Sequence, residues 1–385
     1  MPTPYRINVS DAVLDDLRQR LDRTRWAESL PGEPWERGAD VAYVRELCDY
    51  WRTSYDWRAQ EAAINAWPQF ISTIDGVDIH YWHVRAQPNA GAAAASPLPL
   101  ILVHGWPGSI VEFLDMIGPL TDPAAHGGNA ADAFDVIIPE LPGFGFSGKP
   151  REPGWGPARI ADAFDVLMTK ELGYARYGTQ GGDWGSAVTS MMASFHGEHV
   201  IGAHLNFVVA GPPKPEDAQT PDGKAFLESA AHFQNFETAY QQVQSTKPQS
   251  LAMAHADSPA GLAAWTIEKF RTWSDCDGNV ESVFTKDQLI TNIMFYWANN
   301  SIASAHNIYY EFRHAPSRGF PPITVPVGVA SFPKEMGRAP RSWVEARMNI
   351  THWTDMPRGG HFAAMEQPAL LTEDVRAFFR PLRPV

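Results

Sequence analysis

The sequence predicts an α/β protein: a mostly parallel sheet covered by helices on both faces, with a helical extension before it and a helical insertion within it. Three observations carry this expectation. Short apolar runs such as Leu98–Val103 and Phe134–Pro139 alternate with helical patterns, as strands buried on both faces do. Residues 1–70 carry helical apolar stripes and no such run. After Gly211-Pro212-Pro213 the pattern turns helical and polar until the strand-like Ile323–Ala330.

In chain order, Ser10 can cap a helix over 10–25, with Asp11 in its first turn and Val13, Leu14, Leu17 and Leu21 along one stripe. A second helix spans about 40–52 with Val41, Val44, Leu47, Cys48 and Trp51 inward, and a third covers 57–67. This extension, residues 1–70, is expected to lie outside any sheet. Phe70–Ile74 and Val77–Val84 read as a hairpin through Asp75-Gly76. Residues 87–96, rich in Ala, Gly, Asn and Pro, read as a loop. Strands follow at 98–103, 134–139, 174–180 and 201–209. The sheet core thus occupies 71–211 and 319–385, and the insertion 212–318 reads as a cap. A strand at 323–330, another near 347–352 and a helix from Pro368 carrying Leu371, Val375, Phe378 and Phe379 close the chain.

Composition narrows the class. The chain has 385 residues, 44% hydrophobic, including 20 Phe, 14 Trp and 11 Tyr, enough for one large core or two smaller ones. A formal charge of -13 argues against nucleic acid and anionic membrane as partners. Cys48 and Cys276 have no ligand spacing, which suggests no metal and either a reducing compartment or simply no need for a disulfide. With no signal peptide and no membrane-length apolar run visible, a cytoplasmic protein is expected. A monomer and a homo-oligomer both remain open.

The run Gly181-Gly182-Asp183-Trp184-Gly185 follows a strand candidate and precedes a helix start. Small residues around its centre permit a sharp strand-to-helix turn. Such a turn usually lifts a serine onto its tip in a hydrolase, and here it lifts Asp183. A carboxylate nucleophile makes an alkyl ester, so the substrate should carry an electrophilic saturated carbon.

Such a nucleophile needs a base to activate water and an oxyanion site. His361, in Arg358-Gly359-Gly360-His361-Phe362, lies between the last strand and the last helix, at the sheet edge where sites of open α/β sheets form. As a neutral imidazole it would take a proton from water. Glu335, just past strand 323–330, is the first candidate to orient it, and Asp355 is the alternative. His104-Gly105-Trp106-Pro107-Gly108-Ser109 follows strand 98–103, and the amides of Trp106 and Trp184 are the expected oxyanion donors. Trp106, Pro107, Phe144 and Trp184 are expected to line a substrate pocket. No glycine-rich phosphate cradle is present, since neither GxGxxG nor a following Lys occurs there.

Together these motifs resemble those of epoxide hydrolases of the α/β-hydrolase fold, in the microsomal-type branch that carries an N-terminal extension. The likeness rests on Gly181–Gly185, His104–Pro107, Phe332-Pro333-Lys334-Glu335 and Gly359–Ala364, with Leu14–Leu21 and Thr24-Arg25-Trp26 in the extension. It spans about residues 4–380. The resemblance implies two cap tyrosines that hydrogen-bond an epoxide oxygen. Tyr240 matches the first, and Tyr309 matches the second better than Tyr310 by its spacing from Tyr296-Trp297. It also implies an epoxide and water as the only small-molecule partners and no cofactor. No hydrophobic anchor precedes Tyr5, so membrane attachment is not expected.

The implied reaction is opening of an epoxide to a vicinal diol through an ester on Asp183. Phenols of ordinary acidity at Tyr240 and Tyr309 would keep their protons at pH 7 and pass one to the opening oxygen. The abundant aromatics favour an apolar, aryl-bearing substrate, in detoxification or in secondary metabolism. A haloalkane dehalogenase is the main rival, because it uses the same nucleophile and base and could engage the Trp106 and Trp184 indoles. A catalytically dead fold serving as a binding module is a second, and it would leave Asp183, Glu335 and His361 together by coincidence.

Overall fold

The structure, a computed structural model, describes residues 1–87, 97–208, 216–316 and 318–383. The loop expected at 87–96 lies, from residue 88 on, outside these, as does the expected start of the cap at 212. Nine strands form one sheet: β1 (Thr3–Tyr5), β2 (Gln69–Ile74), β3 (Val77–Val84), β4 (Leu98–Val103), β5 (Phe134–Pro139), β6 (Tyr177–Gly181), β7 (Val200–Leu205), β8 (Ile323–Ser331) and β9 (Met348–Asp355). Their order is β1-β2-β3-β5-β4-β6-β7-β8-β9. The pairs from β1 through β3 to β5 are antiparallel and those from β5 to β9 parallel. This is the α/β-hydrolase architecture.

Two expectations need correction. The extension is not wholly outside the sheet, because Thr3–Tyr5 pairs with Gln69–Ile71 as an edge strand. The strand expected to run to 209 ends at Leu205. Beyond it Asn206 bonds back to Gly181, through its amide, and to the Gln180 side chain.

The N-terminal helices form for the reasons their sequences give. The Ser10 side chain accepts from Val13 N at the start of helix Asp11–Asp22, and Asp40 and Asp56 cap Val41–Thr53 and Trp57–Ile64 in the same way. Buried Glu61 accepts from Val9 N (2.7 Å) and from the Trp57 indole (3.1 Å), so it ties the third helix to the segment leaving β1. Asp75 (φ 50°) and Gly76 (φ 78°) make the expected hairpin turn.

Helices Pro157–Val166 and Asp183–Phe195 pack together, the latter on β4, β6, β7 and β8, while Pro368–Phe379 packs on β7, β8 and helix Leu114–Thr121. The central strands are largely apolar, with Leu100, Ile101, Leu102, Val103, Val136, Ile137 and Ile138 fully buried. Strand order reverses at β4, whose neighbours are β5 and β6, so the loops leaving β4 and β6 face each other across a crevice. Helices Ala239–Thr246, Pro248–Asp257, Pro259–Trp273, Lys286–Trp297 and Ile302–His314 lie between β7 and β8 in sequence. Among the described residues no helix is long and apolar enough to cross a membrane.

Candidate active site

Asp183 begins the helix that follows β6, with φ 49°. That left-handed conformation is strained for any residue with a side chain. The turn closes only because its flanks are glycine: a Cβ on Gly181 would lie 2.4 Å from Gly185 O, and one on Gly185 1.8 Å from Val103 O. The sharp bend projects the Asp183 carboxylate into the crevice between the β4 and β6 loops.

Both carboxylate oxygens are engaged. Oδ1 accepts a 2.8 Å hydrogen bond from the Trp106 amide. Oδ2 lies 3.2 Å from His361 Nε2. The other imidazole nitrogen, Nδ1, lies 2.8 Å from Glu335 Oε1, which also accepts from Met336 N. Asp355, the alternative acid, is exposed and paired with Arg338 at 2.6 Å. Trp184 is the second residue of the helix, so its amide sits at the helix N-terminus beside the carboxylate.

The His361 loop is held by four hydrogen bonds to three residues. Gly359 N donates to Asp275 Oδ2 (2.8 Å), Gly360 N to Glu366 Oε2 (2.9 Å), His361 N to Trp273 O (2.9 Å) and Phe362 N to Glu366 Oε1 (3.0 Å). Glu366 therefore clamps the residues on both sides of the imidazole, a role no local motif announces. Burial raises its carboxyl to about 7, against the opposing pull of those amides.

Burial disfavours charge on His361, but Glu335 and Asp183 outweigh this and hold its pKa well above the ordinary value. The two carboxylates thus favour a protonated imidazole in the free site, and the neutral base expected of His361 belongs to a state in which the Asp183 charge is absent.

Tyr240 and Tyr309 are 5% and 4% exposed, whereas Tyr310 is 39% exposed, so only the first two are available to a closed site. The Tyr240 ring stacks on Trp106 at 5.1 Å with planes 7° apart. Tyr309 meets Tyr240 edge-on at 5.7 Å, Trp106 at 5.8 Å and Trp184 at 4.8 Å. Both phenols are weaker acids than ordinary tyrosine. Burial is the main cause, and the Asp183 charge adds to it.

A cavity in the crevice is lined by Trp106, Glu112, Asp183, Asn206, His361 and Phe362, among others, and neither Tyr240, Tyr309 nor any other residue of 212–318 is part of that lining. Pro107, Phe144 and Trp184 are not part of that lining. Pro107 O accepts from Asn292 Nδ2 (2.7 Å), and Phe144 is fully buried against His104 and Tyr296. Phe144 thus packs behind the loop, while Trp106 and Phe362 face the cavity. The arrangement can present a carboxylate nucleophile, an oriented imidazole, an amide donor and two phenols to one small molecule.

Known proteins match this chain over nearly its whole length. Residues 2–113 match the family described as Epoxide hydrolase N terminus, and 99–322 match the alpha/beta hydrolase fold family. A protein of Stigmatella aurantiaca (strain DW4/3-1) is 44% identical over 99% of this chain and 85% of its own length. Epoxide hydrolase 1 of Oryctolagus cuniculus is 36% identical over 97% of this chain and 88% of its own length. The structure of Aspergillus niger epoxide hydrolase superposes with a TM-score of 0.86 at 28% identity, covering 99% of this chain and 97% of that one.

Proposed function

Because this chain belongs to the epoxide hydrolase family and is an epoxide hydrolase, we propose that it opens an apolar, aryl-bearing epoxide to a vicinal diol through a covalent ester on Asp183. The observation that carries this reading is the Asp183 carboxylate held at Oδ1 by the Trp106 amide and faced at Oδ2 by His361.

The charges support a closed proton ledger. At rest Asp183 is a carboxylate, His361 an imidazolium, and Tyr240 and Tyr309 neutral phenols. Asp183 attacks the epoxide carbon, the C–O bond breaks, and a phenol gives its proton to the opening oxygen. Forming the ester removes the Asp183 charge. One of the groups stabilising the imidazolium is lost, and so is one of the groups opposing phenolate. The imidazolium proton can then return to the phenolate, which leaves a neutral base. His361, oriented by Glu335, next takes a proton from water. The hydroxide attacks the ester carbonyl, whose oxygen is held by the Trp106 and Trp184 amides. Collapse releases the diol oxygen, which takes the proton from His361, and the regenerated Asp183 carboxyl passes its own proton to the imidazole, restoring the carboxylate and imidazolium of the resting state. Every step uses residues of this chain and water.

Dehalogenase chemistry is less favoured. The Trp106 indole N–H has no hydrogen-bond partner among the described residues, the Trp184 indole lies against the Tyr309 side chain, and a departing halide could take both. A halide needs no proton, however, and two buried phenols beside the nucleophile would then be idle. The free, buried Cys48 and Cys276 support a cytoplasmic setting, and the aromatic cap supports a role in detoxification or secondary metabolism.

The test is a product assay with paired aryl epoxides and haloalkanes. We expect diol without halide release. Halide release that survives replacement of both Tyr240 and Tyr309 by Phe would overturn the reading.

A further inference from the structure

One acidic side chain in the cavity has no part in the ledger above. Glu112 lies in the short helical turn Ile110–Phe113 and lines the same cavity as Asp183 and His361. Its own amide bonds to Ser109 O, but its carboxyl has no hydrogen-bond partner among the described residues. Half-buried at the cavity wall and without a protein partner, this carboxyl is left to water or substrate.

Its position is fixed by the loop beneath it. A Cβ on Gly108 would lie 1.5 Å from Glu112 Oε1, so the carboxyl occupies the space that a side chain at 108 would fill. That loop cannot drift away from it. Gly108 O accepts from Tyr296 Oη (2.5 Å), Pro107 O from Asn292 Nδ2 (2.7 Å), and Ser109 Oγ donates to Asn292 Oδ1 (2.8 Å). Helix Lys286–Trp297 thus bolts down the same loop that aims the Trp106 amide at Asp183.

We propose that Glu112 is a further catalytic residue that accepts a hydrogen bond from the hydrolytic water, holding it between His361 and the Asp183 ester. One water proton goes to His361 Nε2. The other stays in the hydroxide, directed at Glu112, while the oxygen lone pair attacks the ester carbon. No bond to Glu112 forms or breaks. The inference rests on the ester mechanism proposed above.

The charged groups around Glu112 fit a role confined to the second half-reaction. Burial raises its carboxyl to about 7. His104 and His361 pull it down, while Asp183 and Glu140 push it up. Esterification removes the Asp183 charge, so Glu112 becomes the better acid and the better ionised acceptor once the intermediate exists. Loss of the His361 proton to the phenolate opposes this, until the imidazole takes a proton back from the activated water.

The experiment is a single-turnover comparison of the parent enzyme, Glu112→Gln and Glu112→Asp with styrene oxide as probe, following ester formation and decay by rapid-quench intact mass across pH 5.5–8.5. In Glu112→Gln we expect ester formation within roughly threefold of the parent, ester decay slower by roughly 10- to 100-fold, and loss of the limb near neutral pH. Glu112→Asp, which keeps the charge, should recover part of the decay rate. Decay within threefold of the parent in Glu112→Gln would overturn the inference, as would equal slowing of both steps. Absence of any ester in the parent enzyme would instead overturn the mechanism on which it rests.

Discussion

The Trp106 amide donates a 2.8 Å hydrogen bond to Asp183 Oδ1, so one carboxylate oxygen is already seated on an oxyanion donor before substrate arrives. The two oxygens are therefore unequal. Oδ1 is positioned to remain the carbonyl oxygen, and Oδ2, on the His361 side, is the one left to attack.

This inequality has an isotopic consequence. In a single turnover in 18O-labelled water, the first diol molecule should carry an unlabelled oxygen from Asp183, and the enzyme should gain the label. Mass spectrometry of the diol and of the Asp183 peptide checks it. Label in the first-turnover diol would mean direct attack of water on the epoxide.

The phenols should matter only to the first half-reaction. Because burial and Asp183 keep both protonated, each can donate across the neutral range. Tyr240→Phe or Tyr309→Phe alone should slow ester formation by about 10- to 100-fold, and the pair by about 10³-fold or more, in line with general acid catalysis. Stopped-flow tryptophan fluorescence reads this step, since both rings pack on Trp106. Ester decay should change little.

Glu335 should govern the second half-reaction and its pH dependence. A histidine whose folded pKa is raised contributes stability that is full below its unfolded value near 6.5 and is lost as pH rises through the folded value. In the ester only Glu335 of the two carboxylates remains charged, so neutral imidazole becomes accessible and decay should rise with pH along one limb. Glu335→Gln should move that limb to lower pH and lower its plateau by about 10²- to 10⁴-fold through lost orientation. Single-turnover decay rates measured across pH 5–9 test both effects, and an unmoved limb would argue against the pairing.

Much of this site is written locally in the sequence, and some of it is not. The elbow is legible because Gly181, Asp183 and Gly185 act through backbone approaches of a few residues. The acid loop is legible because it follows the apolar run Ile323–Ala330, and the histidine loop because two glycines precede His361 between a strand and the last helix. The tyrosines are not, since a buried cap tyrosine looks like any core aromatic and only resemblance singled out Tyr240 and Tyr309. Strand β1 was missed because three residues flanked and interrupted by proline carry no strand pattern, and its pairing depends on β2, more than sixty positions away. Phe144 reads as a pocket residue from its loop, yet long-range packing on Tyr296 turns it inward. The resting charge of His361 is a property of three side chains brought together from 183, 335 and 361, which no local window contains.

Glu366 gives a structural prediction of the same kind. Glu366→Ala would leave the amides of Asp275, Gly360 and Phe362 without their acceptor. Unpaired buried donors cost about 1–3 kcal/mol each before relaxation. We expect a lower Tm and a kcat reduced by at least about tenfold with a smaller change in KM, because the imidazole loses its support while the pocket keeps its shape. Thermal melts and steady-state kinetics check this, and Glu366→Gln, which keeps one acceptor oxygen, should lie between.

The central claim is that Asp183 bonds covalently to a saturated carbon. Its most direct measurement is intact mass of the His361→Gln variant after addition of an aryl epoxide, followed by peptide mapping. The account predicts a stoichiometric gain equal to the mass of the epoxide, carried on the peptide containing Asp183 and absent in Asp183→Asn. An unmodified variant that still turns over, or an adduct on any other residue, would contradict it.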